Sequence, residues 1–379
     1  MKKIKLSLIA ILAVSSCSIV SANSLSETLA NGKVSGDVSV TYEVRKQDKE
    51  ISTYYSNTAY SVGSIGLSYE TATLNNFSAT IGFRAYSTLY ENDANGAGGA
   101  GDASERFYQI DGKNKSSDVE KSYISYDLNN FHFKLGRQFI STEWINKTHD
   151  ALSSNMTFDN SSLELIHTQR QGRIYSRDYR PMTDINSDGN GLTKLGFTQK
   201  FNDDFSLKAY HLTAPKLKDI SGGKINLNIL DIKTMAHFAS TKEDVSNTKD
   251  SNILELKASA NILSTSATLA YIKTDKDAAF NHIAGETINP FEEGDQIYLK
   301  DAQTTYFMLS KKVSNVSLTG LYGVTKYGEF SKDEFNLWAG YEMSKNLNLN
   351  IGYAFTNEDK DDTSTTDLNQ FNATVAYSF

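Results

Sequence analysis

From Asn369 to Phe379 every second residue is apolar. Phe371, Ala373, Val375, Tyr377 and Phe379 fall on one face, and Gln370, Asn372, Thr374, Ala376 and Ser378 on the other. A period of two with one oily and one small or polar side predicts a strand with lipid or core against one face and water against the other. The pattern recurs along the chain. Val34, Val38, Val40, Tyr42 and Val44 alternate with Ser35, Asp37, Ser39, Thr41, Glu43 and Arg45, and Phe77, Ala79, Ile81 and Phe83 with Ser78, Thr80, Gly82 and Arg84. Phe131, Phe133 and Leu135 alternate with His132, Lys134 and Gly136, and Leu254, Leu256, Ala258 and Ala260 with Glu255, Lys257 and Ser259. Phe335 to Met343 and Leu347 to Phe355 repeat it on either side of Ser344-Lys345-Asn346. Charge on the second face is cheap only if that face is wet, which points to a barrel with lipid outside and water inside.

The connections come in two sizes. Tight ones fall at Thr73–Asn76, Asn129-Asn130, Asn202–Asp204, Ile262–Ser264, Lys312–Ser314 and Ser344–Asn346. Long ones fall near 46–56, 88–118, 140–157, 181–191, 215–223, 242–250, 274–302, 327–333 and 357–366. Short turns at one rim and long loops at the other are what a transmembrane antiparallel β-barrel requires. Placing an upward strand near 232–241 and a pair near 158–169 and 172–180 gives 18 strands, with 16 as the alternative count. The expected interior is an aqueous lumen in a single domain spanning 23–379, with residues 23–32 as a periplasmic lead-in.

The chain start changes the compartment. Lys2, Lys3 and Lys5 precede an apolar run from Leu6 to Val14 and a small-x-small site at Val20-Ser21-Ala22, so residues 1–22 read as an export signal cleaved near Ala22. A lipoprotein reading on Cys17 is the weaker rival, because Ser16 precedes the cysteine. That cysteine is the only one, so the mature chain carries no disulfide. Three prolines among 379 residues leave long strands unbroken, and 21 tyrosines and 19 phenylalanines supply aromatic girdles. Removing Lys2, Lys3 and Lys5 takes the formal charge from −7 to −10, which argues against nucleic acid as a partner.

The segment Phe133-Lys-Leu-Gly-Arg-Gln-Phe-Ile-Ser-Thr-Glu-Trp-Ile145, through Gly136, Arg137, Gln138, Thr142 and Trp144, resembles the fifth strand and following loop of outer-membrane porins. The group includes the OprD-like channels and the campylobacterial major outer-membrane porins. Ser24 to Val38 resembles its epsilonproteobacterial members, and Phe379 resembles the terminal aromatic that such barrels present to their assembly machinery. The resemblance implies an 18-stranded channel of the Gram-negative outer membrane, narrowed by inward-folding loops and either monomeric or trimeric. Its partners would be outer-membrane lipids and small hydrophilic solutes.

On pattern, Arg45, Arg84, Lys134, Lys208 and Lys257 face the lumen, and Arg173 and Arg177 form a basic ladder in one strand. Arg137 has the parity of Phe133 and Leu135, so it reaches the lumen only at a bulge or strand end. The loop after the fifth strand is the expected constriction, with Glu143 and Asp150 opposing Arg84, Lys134, Arg173 and Arg177. The loop at 274–302, through Asn289-Pro290-Phe291 and Glu292-Glu293-Gly294-Asp295, is the second element expected to fold inward.

Other motifs carry less. Gly96-Ala-Gly98-Gly-Ala-Gly101 lacks the βαβ context of a dinucleotide fingerprint. Asp184, Asn186 and Asp188 alternate as in a calcium loop, but Leu195 stands where the bidentate glutamate belongs. Such a Ca2+ is the one cofactor the sequence raises. No histidine has metal-ligand spacing and no nucleophile elbow is present, so no enzyme is expected. The expected function is passive diffusion of small hydrophilic solutes and ions. The alternatives are selective uptake of amino acids or small carboxylates, and a barrel-anchored adhesin or surface antigen.

Overall fold

The computed structural model describes residues 24–48, 57–94, 101–107, 109–110, 113–114, 117–187, 189–359 and 367–379. The expected export signal, Asp188 and most of the glycine run lie outside the described residues.

Eighteen antiparallel strands form the wall. They are β1 (Lys33–Gln47), β2 (Thr58–Glu70), β3 (Phe77–Glu91), β4 (Ser117–Leu128), β5 (Phe131–Thr142) and β6 (Ile145–Phe158). Then come β7 (Ser161–Ile174), β8 in two pieces (Tyr179–Asp184 and Leu192–Lys200), β9 (Phe205–Ala214), β10 (Lys218–Ile229), β11 (Ile232–Glu243) and β12 (Asn252–Ile262). The last are β13 (Thr265–Thr274), β14 (Gln303–Val313), β15 (Val316–Tyr327), β16 (Phe330–Ser344), β17 (Leu347–Glu358) and β18 (Leu368–Ser378). Each strand pairs with its neighbours in sequence, and β18 pairs with β1 from Asp37↔Ser378 to Gln47↔Leu368. The sheet therefore has no free edge, as lipid demands of every backbone N–H and C=O. Both pieces of β8 pair with β7, the upper at Tyr179↔Ile174 and the lower from Leu192↔Thr168, so together they fill one wall position.

The tight rim turns on residues with positive φ, among them Asn75, Asn76, Asn129, Asp159, Leu230, Asp231, Leu263, Ser264 and Ser314. Their twist matches that of the flanking strands. One of these turns corrects the sequence reading. The β6–β7 turn is at Asp159-Asn160, so the pair expected at 158–169 and 172–180 lies instead at 145–158 and 161–174. The segment 140–157, expected as loop, is mostly strand. A six-residue helix, α1 (Leu25–Ala30), capped by the Ser24 hydroxyl accepting from Glu27 N–H, docks at the first tight turn, where Ala72 N–H donates to the Thr28 carbonyl.

The faces sort as the alternation requires. Val38, Val40, Ile65, Phe83, Leu135, Leu269 and Phe307 are exposed on the outer wall, while Ser39, Thr41, Glu43, Arg45, Thr80 and Arg84 are buried on the inner one. Aromatic pairs gather at the tight rim: Phe77 with Tyr126 at 4.6 Å between ring centroids, Phe201 with Phe205 at 4.8 Å, and Tyr377 with Phe379 at 6.4 Å. They form the expected girdle.

The wall departs from a simple cylinder at β5. β4 and β5 pair only as far as Ser122↔Arg137, whereas β5 and β6 stay paired up to Thr142↔Ile145. Gly136 sits at the parting with φ +126°, and a Cβ there would lie 2.2 Å from the Ser122 carbonyl oxygen. Only glycine accepts both constraints. We expect Gly136→Ala to destabilise the barrel by about 1–3 kcal/mol, read as a lower melting temperature of the refolded protein in detergent.

Candidate functional site

Beyond Arg137 the β5–β6 hairpin leaves the wall and crosses the lumen. Its tip, Glu143-Trp144, is buried against the inner faces of β8 to β11. Trp144 is fully buried, with φ +62°. Its indole N–H donates to the Tyr210 hydroxyl at 2.8 Å, and that hydroxyl is hydrogen-bonded to His237 Nε2 at 2.7 Å. Phe280 packs against the indole at 4.8 Å between ring centroids with the rings tilted by 39°, and Trp144 N–H donates to Thr287 Oγ1 at 2.6 Å.

Phe280 and Thr287 belong to the segment 275–302, which also folds inward. Phe280, Ala284, Ile288, Ile297 and Tyr298 pack with Ile140, Trp144 and Ile145 against Leu212, Ile220, Ile253 and Ile272 of the wall. Phe291 lies on Gly323, where even a methyl group would meet the ring at 2.4 Å. Part of the lumen's extracellular half is thus a packed hydrophobic core. This corrects the expectation of a wholly aqueous interior.

Charge pins the other side of the same segment. Arg45, buried on β1, donates to Gln370 Oε1 at 2.7 Å, Glu105 Oε1 at 2.8 Å and Glu293 Oε1 at 3.0 Å. Arg106 reaches Glu43 and Glu292, each at 3.4 Å, and Glu293 N–H donates to Glu334 Oε1 at 2.9 Å. Arg45 and Arg106 therefore clamp residues 101–107 and 275–302 to the β1 wall.

Glu143 meets three lysines: Lys194 of β8 at 2.8 Å, Lys208 of β9 at 2.6 Å and Lys224 of β10 at 3.0 Å. Burial opposes ionisation of Glu143, but the charges of Lys194 and Lys224 and the hydrogen bonds from Lys194 and Lys208 outweigh it. Its carboxyl is held far below the usual carboxylate range. Glu164 takes a second contact from Lys194 at 2.8 Å. On the periplasmic side the same wall opens into a cavity of about 600 Å3, lined by Lys200, Lys224, Lys233 and Lys257 with Ser206, Asn226, Asn228 and Ser259.

The residues expected at the constriction separate into groups. Glu143 and Lys208 come together. Lys257 lies in the adjoining cavity, 3.6 Å from Glu255. Arg84 is engaged with Asp37 at 2.9 Å and Glu120 at 3.0 Å, and does not reach Glu143. Lys134 sits 5.0 Å over the Tyr123 ring. Asp150 pairs with Arg137 at 2.7 Å and Arg170 at 3.5 Å, at the parting of β4 and β5. Arg173 ends β7, paired with Asp178 at 2.8 Å, whereas Arg177 lies in the following turn, so the two do not share a strand as a ladder. Asp184 is 3.3 Å from Arg170, and Asn186 spends its side chain on the Gly191 backbone. Among the described residues no three His, Asp or Glu side chains gather as a metal ion needs.

Sequence reasoning missed Lys194 and Lys224. The signal was present: Lys194, Gly196 and Thr198 alternate with Leu195 and Phe197, and Lys224, Asn226 and Asn228 with Ile225, Leu227 and Ile229.

Residues 1–167 match the family model described as Campylobacter major outer membrane protein. No protein of curated function matches the sequence. Among solved structures, Acinetobacter baumannii OccAB4 is similar at a TM-score of 0.76 and 11% identity, covering 93% of this chain and 99% of that one. Pseudomonas aeruginosa OpdK, solved with vanillate, gives 0.73 and 13% over 93% and 99%, and OpdQ of the same organism 0.72 and 15% over 93% and 99%. The first 167 residues of the chain match the Campylobacter major outer membrane protein family, and its closed 18-stranded barrel shares the fold of the OprD/Occ outer-membrane channels.

Proposed function

We propose that this porin is a selective channel for small solutes bearing a carboxylate. The observation that carries the reading is the lysine wall. Lys194, Lys208 and Lys224 converge on one inserted glutamate, and Lys224 and Lys257 continue into a cavity that also holds Lys200 and Lys233. Glu143, Glu164 and Glu255, with Asp203 and Asp204 at the periplasmic end of the cavity, offset five of those six charges, and the lysines next to the inserted tip carry the remainder. A narrow, low-dielectric passage focuses the surplus positive field and concentrates anions along it. Ser206, Asn226, Asn228 and Ser259 offer hydrogen bonds to a polar solute stripped of part of its water.

The packed extracellular half favours this reading over a wide pore open to any small hydrophilic solute. The inward fold of 275–302 counts against a barrel built to display its loops. OpdK was solved with vanillate, a carboxylate, which supports the same class by likeness of fold.

The test is reversal potential under a KCl gradient in planar bilayers. The wild type should favour anions, and the double variant Lys208→Gln, Lys224→Gln should move the reversal potential toward that of a cation-preferring pore. A cation-selective wild type, or an unmoved potential in the double variant, would sink the proposal.

A further inference from the structure

The outer wall of β10 to β13 carries an apolar groove of about 460 Å3. The strand registers explain it. Thr234 and Ala236 of β11 lie opposite Ala258 and Leu256 of β12, so small side chains occupy the middle of the sector. Ile225 and Leu227 of β10 flank them on one side, and Leu269 and Tyr271 of β13 on the other. These residues share the outward parity, so the groove opens to lipid and not to the lumen.

One step nearer the long-loop rim the chemistry changes. Lys273 of β13 lies opposite Gln303 of β14, and Gln303 opposite Lys326 of β15, so two cations flank one amide. All three side chains are exposed on the lipid side. The Tyr271 hydroxyl donates to Gln303 Oε1 at 3.3 Å, which leaves the amide N–H groups to donate elsewhere. Neither lysine has an ion pair among the described residues. The outward carboxylates nearest to them are engaged, Asp275 by Asn252 and Asp333 by Tyr322. Along the same cross-strand row Leu254 and Phe238 are apolar, so this level still borders hydrocarbon. Ammonium groups at that depth are costly alone and gain from an anion at the headgroup level. The rim is the one with long loops, which places the headgroups in the outer leaflet.

We propose that this sector is a docking site for a phosphorylated lipid of the outer leaflet. An acyl chain lies in the groove over Ala236 and Ala258. The phosphate sits between Lys273 and Lys326, with the Gln303 amide donating to it. Chain and headgroup contacts lie on adjacent rows of the same strands, so one lipid molecule spans both.

The probe is diphosphorylated lipid A, titrated onto the refolded protein in detergent and read as bound mass by native mass spectrometry. Wild type should hold it more tightly than the dephosphorylated form. Lys273→Gln with Lys326→Gln should raise the apparent Kd about tenfold, in line with the share of each surface cation in binding an anionic lipid. Lys46 is exposed at the same rim on β1, four strands from Lys326, and Lys46→Gln should leave the Kd within about twofold. Ala236→Leu with Ala258→Leu fills the groove and should weaken binding with the lysines intact. Inorganic phosphate should not displace the lipid, because it has no chain to seat. Unchanged affinity in the double lysine variant or in the filled groove would overturn the site. So would an equal loss in Lys46→Gln, which would mark a diffuse charge effect, or displacement by inorganic phosphate, which would mark a plain anion site.

Discussion

Trp144→Ala should raise single-channel conductance several-fold. The indole is the largest fully buried side chain among the described residues and fixes the hairpin tip through Tyr210, Phe280 and the Thr287 hydroxyl. Truncating a buried tryptophan costs about 3–5 kcal/mol. Here that loss falls on a lumen insert and not on the wall, whose strands keep their own ladders. The barrel should therefore still fold, with an unchanged β signature in circular dichroism, while the hairpin loses its seat. Glu143 would move with it and free three lysines, so the variant should also turn more strongly anion-preferring. Native-like conductance in a folded Trp144→Ala channel would show that the tip is held by the lysines alone.

Arg45→Ala has the second large expected effect. Arg45 is 2% exposed and is shared by Gln370, Glu105 and Glu293, with Glu43 3.4 Å away. Removing a buried cation leaves its carboxylates uncompensated, a loss of roughly 3–5 kcal/mol. The expected result is release of 275–302, seen as new protease cleavage within that segment and as noisy, larger current steps. Adding Glu293→Gln should recover part of the loss, because it removes one of the stranded charges. No added protease sensitivity in Arg45→Ala would mean that the apolar seat of Phe280, Ile288 and Phe291 is sufficient.

The wall was legible because lipid enforces alternation on every strand. Val38 to Tyr42 and Phe371 to Phe379 could be assigned to faces by parity alone. Two turns were harder to place. Leu230-Asp231 reverses the chain without glycine or asparagine, and Asp159-Asn160 was obscured because polar residues of the inserted hairpin read as loop. The packed lumen left a fainter trace. Tyr210 and Leu212 share the parity of Lys208, and Ile253 that of Glu255, so oily residues sit in the wet register near the extracellular strand ends. Alternation rules treat those positions as noise, although they mark where an insert lands. The partners of Glu143 were out of reach for another reason. Parity says that a lysine points inward, but only the hairpin's path across the lumen says which inward lysines it meets. Arg45 and Arg84 point inward as expected and are then spent on carboxylates close to their own wall.

The seam between β1 and β18 has a kinetic meaning. Every other wall pairing joins neighbours in sequence and can form as a local hairpin, whereas the seam joins residues such as Thr41 and Thr374, 333 positions apart, hydroxyl to hydroxyl at 3.0 Å. Until it closes, two strands carry unmet hydrogen-bonding groups, and the price of bringing such distant partners together falls on a single step. A lesion in an internal hairpin is then a local delay. A lesion at the seam stalls a sheet that is otherwise complete, at the moment it is most prone to pair with a strand of another molecule.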